Sequence, residues 1–186
     1  MTQGLSLRLN AIGLLAIVAV LAFALGDQLL KKELPCPLCI LQRVGFVLAG
    51  FGLALNLRFS PRPSHYALTL LGALFGGAVS IRQILLHIVP GSGAYGDAFL
   101  ELHFYTWALI VFVLILLGTA CMLLFDRQFD EGAHGAGPLT GLALLVFVLF
   151  AVLALGNGLS TFLECGVGLC PDNPIDYEFL KPLPRL

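Results

Sequence analysis

Five apolar stretches, each about as long as a membrane-spanning helix, constrain this chain more than any other feature of its sequence. They cover residues 9–30, 38–57, 66–89, 104–125 and 138–162. A helix rises about 1.5 Å per residue, so roughly 20 apolar residues cross about 30 Å of hydrocarbon. With 59% hydrophobic and 11% charged residues, a soluble fold of this length could not bury its apolar surface. The sequence therefore predicts an all-α, polytopic membrane helical bundle with five transmembrane helices, a four-helix core plus one.

The connections between these stretches are typical of loops. RFSPRPS, PGSGAYGD and DRQFDEGAHGAGP combine proline, glycine, serine and charged residues. Because no internal repeat or low-complexity linker divides the chain, residues 1–186 are predicted to form a single integral membrane domain, with a short extracytoplasmic tail at residues 163–186. The net charge of −1 and the lack of a basic run argue against nucleic acid as a partner.

The first apolar stretch allows a second interpretation. Arg8 precedes it, and Ala22-Phe23-Ala24 matches the small-residue pattern of a signal-peptide cleavage site, so the stretch could be a cleavable signal peptide. Cleavage would leave the other stretches on the same sides of the membrane. The predicted topology therefore does not depend on this choice.

Four cysteines form two pairs that follow the first and the fifth stretch. Cys36 and Cys39 come after the first, and Cys165 and Cys170 come after the fifth. Because an even number of spans separates the pairs, both are predicted to lie on the same membrane face. Basic residues are divided almost evenly between the two faces, so the positive-inside rule gives no orientation. The disulfide-like spacing of the cysteines favours the oxidising, non-cytoplasmic face.

The sequence Cys36-Pro37-Leu38-Cys39 stands where the second helix should begin. Proline is favoured at the first helical position because its missing N–H would have no partner there, which makes Cys36 the cap and Cys39 a first-turn residue. Cysteines three apart on a helix share a face and can close a disulfide. The unpaired N–H groups and the positive end of the helix dipole stabilise a thiolate. The motif therefore predicts a redox-active pair.

Two arginines interrupt the apolar stretches on the side of this pair. Only 14 uncharged residues separate Arg43 from Arg58, or roughly 21 Å of helix, so the helix must extend back toward Cys39 and draw Arg43 into the membrane. A guanidinium one turn after Cys39 would stabilise its thiolate and could donate to a quinone carbonyl. Arg82, separated from Pro90 by seven residues, is a second candidate. Alternatively, either arginine snorkels to the interface or pairs with a helix carbonyl.

The second pair, Cys165-Gly-Val-Gly-Leu-Cys170, leads into PDNP. The glycines within the ring and the prolines after it predict an exposed, easily deformed loop. A disulfide there would be accessible to an attacking thiolate. Two alternatives remain open: a disulfide that only staples the tail, and a zinc site that uses all four cysteines.

The other polar and aromatic residues near the membrane are more ambiguous. Cys121 is predicted to be a small packing residue within the fourth helix. His87 and His103 flank the loop between the third and fourth stretches, where either could line a quinone pocket or be an ordinary interfacial histidine. Tyr105 and Trp107 are predicted to belong to an interfacial aromatic belt.

The chain resembles the bacterial disulfide bond formation protein B family, the quinone reductases known as DsbB. The resemblance rests on PCPLCILQR, residues 35–43, is supported by Arg82-Gln83 and by the spacing of the first four stretches, and covers about residues 8–125. It implies that Cys36 and Cys39 form the quinone-facing disulfide. It also implies that the Cys39 thiolate lies against the quinone ring with Arg43 beside it.

The same resemblance implies partners and a location. The electron acceptor would be a membrane quinone, ubiquinone or menaquinone, and the donor a periplasmic, DsbA-like thioredoxin-fold oxidase that the chain re-oxidises. The protein would lie in the bacterial inner membrane, with both cysteine pairs on the periplasmic face, and would support disulfide bond formation.

The sequence departs from the family in the position of its second cysteine pair. The family usually places this pair between the third and fourth helices, whereas here Cys165 and Cys170 follow a fifth helix. Parity still brings them to the same face, so relocated residues could keep the role. Which of the two meets the partner stays open, as do two other functions: a vitamin K epoxide reductase-like quinone reductase, and a non-catalytic membrane scaffold or zinc-binding assembly factor.

Overall fold

The computed structural model describes residues 1–89, 98–130, 139 and 141–180 and consists almost entirely of helices. In chain order the elements are α1 (Gln3–Lys31), α2 (Pro37–Phe59), α3 (Pro63–His87), β1 (Ala98–Phe99), β2 (Leu102–His103), α4 (Phe104–Leu123), α5 (Arg127–Asp130), α6 (Gly141–Cys165) and a 3-10 turn (Glu178–Leu180). Helices α1, α2, α3, α4 and α6 are each long and apolar enough to cross a membrane. The predicted all-α, five-span membrane bundle is thus confirmed.

Two helix ends differ from the predicted ones because capping residues determine where these helices begin or end. Helix α1 begins at Gln3, well before residue 9, because the Thr2 side chain accepts a hydrogen bond from the backbone N–H of Leu5 at 3.4 Å. Helix α6 ends at Cys165, three residues beyond the predicted end, and Gly166 adopts the left-handed φ of +61° that commonly ends a helix. Residue 138, its predicted start, lies outside the described residues.

Helices α2 and α3 pack through small residues. A Cβ added at Gly45 would lie 2.6 Å from the Cα of Gly76, and one added at Gly72 would meet the backbone of Ala49. Gly72 and Gly76 are four residues apart, the small-xxx-small spacing that lets membrane helices approach closely. The ring of Phe112 from α4 covers Gly76 and stacks on Phe46 with 4.0 Å between centroids. Three helices therefore share one tightly packed layer.

A buried polar cluster ties the elements together at one end of the bundle. Asn10 Nδ2 donates to the Tyr66 hydroxyl at 2.7 Å, and that hydroxyl donates to Gln128 Oε1 at 3.0 Å. Asn56 Nδ2 donates to Asn10 Oδ1 at 2.9 Å. These contacts join α1, α2, α3 and α5. Buried polar groups in a membrane protein must find partners, and here they find one another.

The opposite end of the bundle holds the start of α2 and the end of α6. Gln28 near the end of α1 donates to Ser160 of α6 at 2.8 Å and to Tyr177 of the tail at 3.3 Å. The ring of Phe179 lies 4.9 Å from that of Phe162, so the tail folds back onto α6. Both cysteine pairs consequently lie at the same end of the bundle, as the number of spans predicts.

Candidate redox site

The first cysteine pair forms the N-terminal tip of α2. Cys36 is the cap residue and Pro37 the first helical residue, as the motif predicts. The Sγ of Cys36 accepts a hydrogen bond from the backbone N–H of Cys39 at 3.2 Å, and the two residues form a disulfide with 5.1 Å between Cα atoms. Cys36 is buried, whereas Cys39 is partly exposed. The helix start therefore directs a peptide N–H at the sulfur pair.

Two buried glutamines lie beside this disulfide. Gln83 of α3 is fully buried, and its Nε2 lies 3.4 Å from the Sγ of Cys36 and 3.6 Å from the Sγ of Cys39. Its Oε1 accepts a hydrogen bond from Gln42 Nε2 at 2.9 Å. Because the Gln42 amide donates to it, the Gln83 amide is oriented with its own N–H groups toward the sulfurs. Such a neutral donor stabilises a thiolate.

A cavity of about 470 Å³ lies next to the tip of α2. Its walls come from α1, the 31–36 connection, α2, β1 and α4. Most of the lining is apolar or aromatic, and Cys39 and Arg43 contribute the sulfur and the guanidinium; the aromatic members are Phe23, Phe46, Phe99, Phe104, Tyr105 and Trp107. An apolar cavity with a few convergent polar groups is the usual form of a small-molecule site.

Arg43 is held by three side-chain or backbone oxygens from two other helices. Its Nη1 donates to Gln28 Oε1 at 2.7 Å and to Asn157 Oδ1 at 3.3 Å, and its Nη2 donates to the carbonyl of Ala24 at 2.9 Å. The predicted pairing with a helix carbonyl is therefore present together with the predicted position beside Cys39. These contacts fix the guanidinium at the cavity wall.

Glu164 of α6 is fully buried, and neither of its carboxylate oxygens has a hydrogen-bond partner among the described residues. Its charge acts on Arg43. Glu164 lies within α6, two residues beyond the predicted end of the fifth span and one position before Cys165.

The second disulfide joins the end of α6 to the tail. Cys165 is the last residue of α6 and is 8% exposed, while Cys170 is more accessible; their Cα atoms lie 4.5 Å apart. Val167 and Leu169, within the ring, are 96% and 98% exposed. The predicted exposed loop is therefore present, although one of its cysteines is helical. The four sulfurs are paired in two disulfides, Cys36–Cys39 and Cys165–Cys170.

Arg82 and His87 do not line the cavity. Arg82 is exposed on α3, on a different side from its neighbour Gln83. His87 Nδ1 lies 2.8 Å from the carbonyl oxygen of Gln83. The rings of His87 and His103 stack with Tyr105 at centroid distances of 5.5 and 5.3 Å. His87 thus contacts Tyr105, which lines the cavity.

Three further predictions need correction or refinement. Cys121 is exposed on α4, so it is not the packing residue that the sequence suggested. Tyr105 and Trp107 line the cavity. Their predicted membership of an interfacial aromatic belt did not include this role. Trp107 Nε1 donates to the carbonyl of Phe99 at 2.9 Å and so connects α4 to the hairpin of β1 and β2. This hairpin was not predicted.

Comparisons with known proteins agree with the helix-tip motif. Residues 6–95 match the family model described as "Disulfide bond formation protein DsbB". A protein named disulfide bond formation protein B from Chromobacterium violaceum is 37% identical over 89 residues, which cover 44% of this chain and 54% of that protein. Its namesake from Hahella chejuensis is 38% identical over 80 residues, which cover 41% and 48% of the two chains.

The matched region has a clear limit. A third namesake, from Chromohalobacter salexigens, is 33% identical over 93 residues, covering 47% of this chain and 54% of that protein. The chain thus spans about half the length of the curated relatives it matches. No solved structure matches it. The model match includes Cys36, Cys39 and Arg43 and ends before α4 and α6.

Proposed function

We propose that this multi-pass membrane protein, whose residues 6–95 match the DsbB family model, is a thiol:quinone oxidoreductase that generates disulfide bonds. The observation that carries this proposal is the position of Cys39 and Arg43 on the wall of one apolar cavity, at the N-terminal tip of α2. A redox-active sulfur, a cation and an apolar chamber are the three features that a thiol-to-quinone transfer needs.

The proposed route for electrons begins at the tail. A reduced dithiol of a periplasmic, DsbA-like thioredoxin-fold protein attacks the Cys165–Cys170 disulfide, forms a mixed disulfide and resolves it, so that the partner leaves oxidised. The two tail thiols then exchange with the Cys36–Cys39 disulfide in the same manner. Each exchange breaks one S–S bond and forms another, and it carries two electrons. The exposure of Cys170 makes it the more accessible sulfur for the first attack.

The residues of the cavity fit a quinone. The aromatic lining suits a flat ring and an isoprenoid tail, and Arg43 uses three N–H donations within the described chain while a guanidinium offers five donors. A remaining N–H of Arg43 would bind a carbonyl oxygen of the quinone. Cys39 would supply the thiolate, and the Gln83 amide would stabilise it by donating a hydrogen bond. A bound ubiquinone or menaquinone would supply the capacity to accept two electrons and two protons. Arg43 then serves both to orient the acceptor and to stabilise the Cys39 thiolate.

The proposal places the chain in the bacterial inner membrane with both disulfides on the periplasmic face. Both pairs lie at one end of the bundle, which supports a single compartment for the exchange. A membrane-impermeant maleimide applied to intact cells, after mild reduction, tests this placement. Labelling of Cys36 and Cys170 from opposite sides would overturn the relay.

The function itself is tested with the purified full-length protein under anaerobic conditions. Dithiothreitol serves as the donor, and soluble analogues of ubiquinone and menaquinone serve as alternative acceptors. We expect quinone reduction that disappears in Cys39→Ser and persists in Cys121→Ser, whose cysteine lies outside both disulfides. Equal rates in the two variants would refute the assignment. Comparing the acceptors with vitamin K epoxide separates this function from that of an epoxide reductase.

A further inference from the structure

Among the described residues, Glu164 is a buried carboxylate to which the proposed electron route assigns no role. Its side chain is fully buried, and both oxygens lack hydrogen-bond partners among the described residues. An isolated buried carboxylate is strongly destabilising unless it has a cation, a donor or a proton. Glu164 lies in α6, the fifth membrane-spanning helix, and is outside the family-matched residues 6–95.

The charges around this carboxylate are few. Arg43 on α2 is the group whose charge acts on Glu164, and Asp27 on α1 and Tyr177 in the tail also act on Arg43. Asp27 already forms an ion pair with Lys31, with 2.7 Å between Oδ1 and Nζ. The hydrogen-bond acceptors of Arg43 are neutral amide and carbonyl oxygens. Among the described residues, Arg43 is thus the cation that acts on Glu164 while Cys36 and Cys39 are joined in a disulfide.

We propose that Glu164 alternates with the Cys39 sulfur as the anion opposite Arg43, and that it stores the proton that the Cys39 thiol loses. This inference rests on the proposed function. While the Cys36–Cys39 disulfide is closed, the carboxylate carries the negative charge. When reduction creates a Cys39 thiolate one helical turn from Arg43, a second anion in the same low-dielectric region is unfavourable, and Glu164 takes up a proton. The site then holds one cation and one anion in both redox states.

The proposed step is balanced in atoms and charge. The two thiols of Cys165 and Cys170 and the Cys36–Cys39 disulfide become a Cys165–Cys170 disulfide, a Cys36 thiol and a Cys39 thiolate. Of the two protons of the Cys165 and Cys170 thiols, one passes to Cys36 and the other to the Glu164 carboxylate. Oxidation of Cys36 and Cys39 by an acceptor of two electrons and two protons, the class to which quinones belong, later removes both protons. Glu164 is then a carboxylate again.

Infrared difference spectroscopy on the full-length protein in phosphatidylcholine nanodiscs, without added quinone, tests this proposal. The reductant is dithiothreitol, which has no carboxyl group. We expect reduction of the wild-type chain to produce the C=O stretching band of a protonated carboxylic acid. The band should be lost in Glu164→Gln and retained in Asp27→Asn, which removes the other carboxylate that acts on Arg43.

Two outcomes would overturn the inference: a wild-type difference spectrum with no carboxylic acid band, or a band that survives Glu164→Gln. A wild-type spectrum without the band overturns the inference even if a variant does not fold. Thiols are counted by maleimide labelling in the same samples, and quinone reduction is measured in parallel. If thiols form and quinone is reduced but no band appears, only the role of Glu164 fails. If quinone is not reduced at all, the proposed function fails.

Discussion

Asn157 Oδ1 accepts a hydrogen bond from Arg43 Nη1 at 3.3 Å, and this contact joins the helix of the first cysteine pair to the helix of the second. Asn157 is itself buried, and its Nδ2 donates to the carbonyl of Leu153 at 2.9 Å, so its side chain is fixed in α6. The fifth helix is therefore not an appendage of a four-helix unit. Its Asn157 is one of the residues that hold Arg43 at the cavity.

Replacing Asn157 by alanine should weaken the use of quinone. A hydrogen bond to a charged group contributes about 1.5–3 kcal/mol, and the 3.3 Å length of this one places it at the lower end. Its loss should therefore raise the apparent KM by roughly 10-fold, while kcat changes less because Cys39 is untouched. The measurement is steady-state quinone reduction in detergent. Leu155→Ala removes a side chain on the same helix that is 75% exposed, and it should leave both constants unchanged. An unchanged KM in Asn157→Ala would show that Asn157 does not position Arg43.

The roles of the two disulfides should be distinguishable by changing the electron donor. Cys165→Ser or Cys170→Ser should abolish oxidation of a thioredoxin-fold dithiol protein, because the tail disulfide, with its accessible Cys170, is the proposed entry point. The same variants should still oxidise dithiothreitol at a rate within a few-fold of wild type, because their Cys36–Cys39 disulfide is intact. Both rates are followed by quinone absorbance. Persistent oxidation of the protein donor would mean that the tail disulfide only staples the chain, which is the alternative left open by its sequence.

Gln83 and Arg82 provide a matched pair of adjacent substitutions. Gln83→Leu removes the N–H donor that lies 3.4 Å from Cys36 Sγ and 3.6 Å from Cys39 Sγ, so the reduced pair should form less thiolate and react more slowly with iodoacetamide. Loss of one such donor corresponds to about a 10-fold slower reaction. Arg82→Gln alters an exposed side chain and should leave the rate unchanged. The opposite result would restore Arg82 as the functional residue of α3.

Gln83 and Arg82 also show what can and cannot be predicted from the sequence of this chain. Length and hydropathy were sufficient for the five spans, since each needs only a long apolar run. Proline after Cys36 was sufficient for the cap, because the rule is local. Arg82 was favoured over Gln83 because a charge within an apolar run attracts attention. Successive helical residues lie about 100° apart, however, and the neighbouring helix decides which one points inward.

Residues from α6 were missed for a related reason. Asn157 contacts Arg43, and the charge of Glu164 acts on it, across more than a hundred residues of sequence, and no local pattern specifies either interaction. Glu164 resembled a charge that ends a span, because an acidic residue after an apolar run usually marks the interface. Buried asparagine and glutamine residues in spans were the available signal. Polar side chains within apolar helices are expected to find partners.

The packing layer between α2, α3 and α4 allows a last prediction that links stability to the cavity. A Cβ at Gly76 would overlap the ring of Phe112, and Phe112 stacks on Phe46, which lines the cavity. Gly76→Ala should therefore destabilise the bundle by about 1–3 kcal/mol, the usual effect of overpacking, and should also raise the apparent KM for quinone. At Gly118 of α4 an added Cβ would meet nothing within 4 Å, so Gly118→Ala should change neither property. Thermal unfolding in detergent and quinone kinetics measure the two effects. A Gly76→Ala protein that unfolds at the wild-type temperature would show that α3 and α4 do not pack as closely as this layer requires.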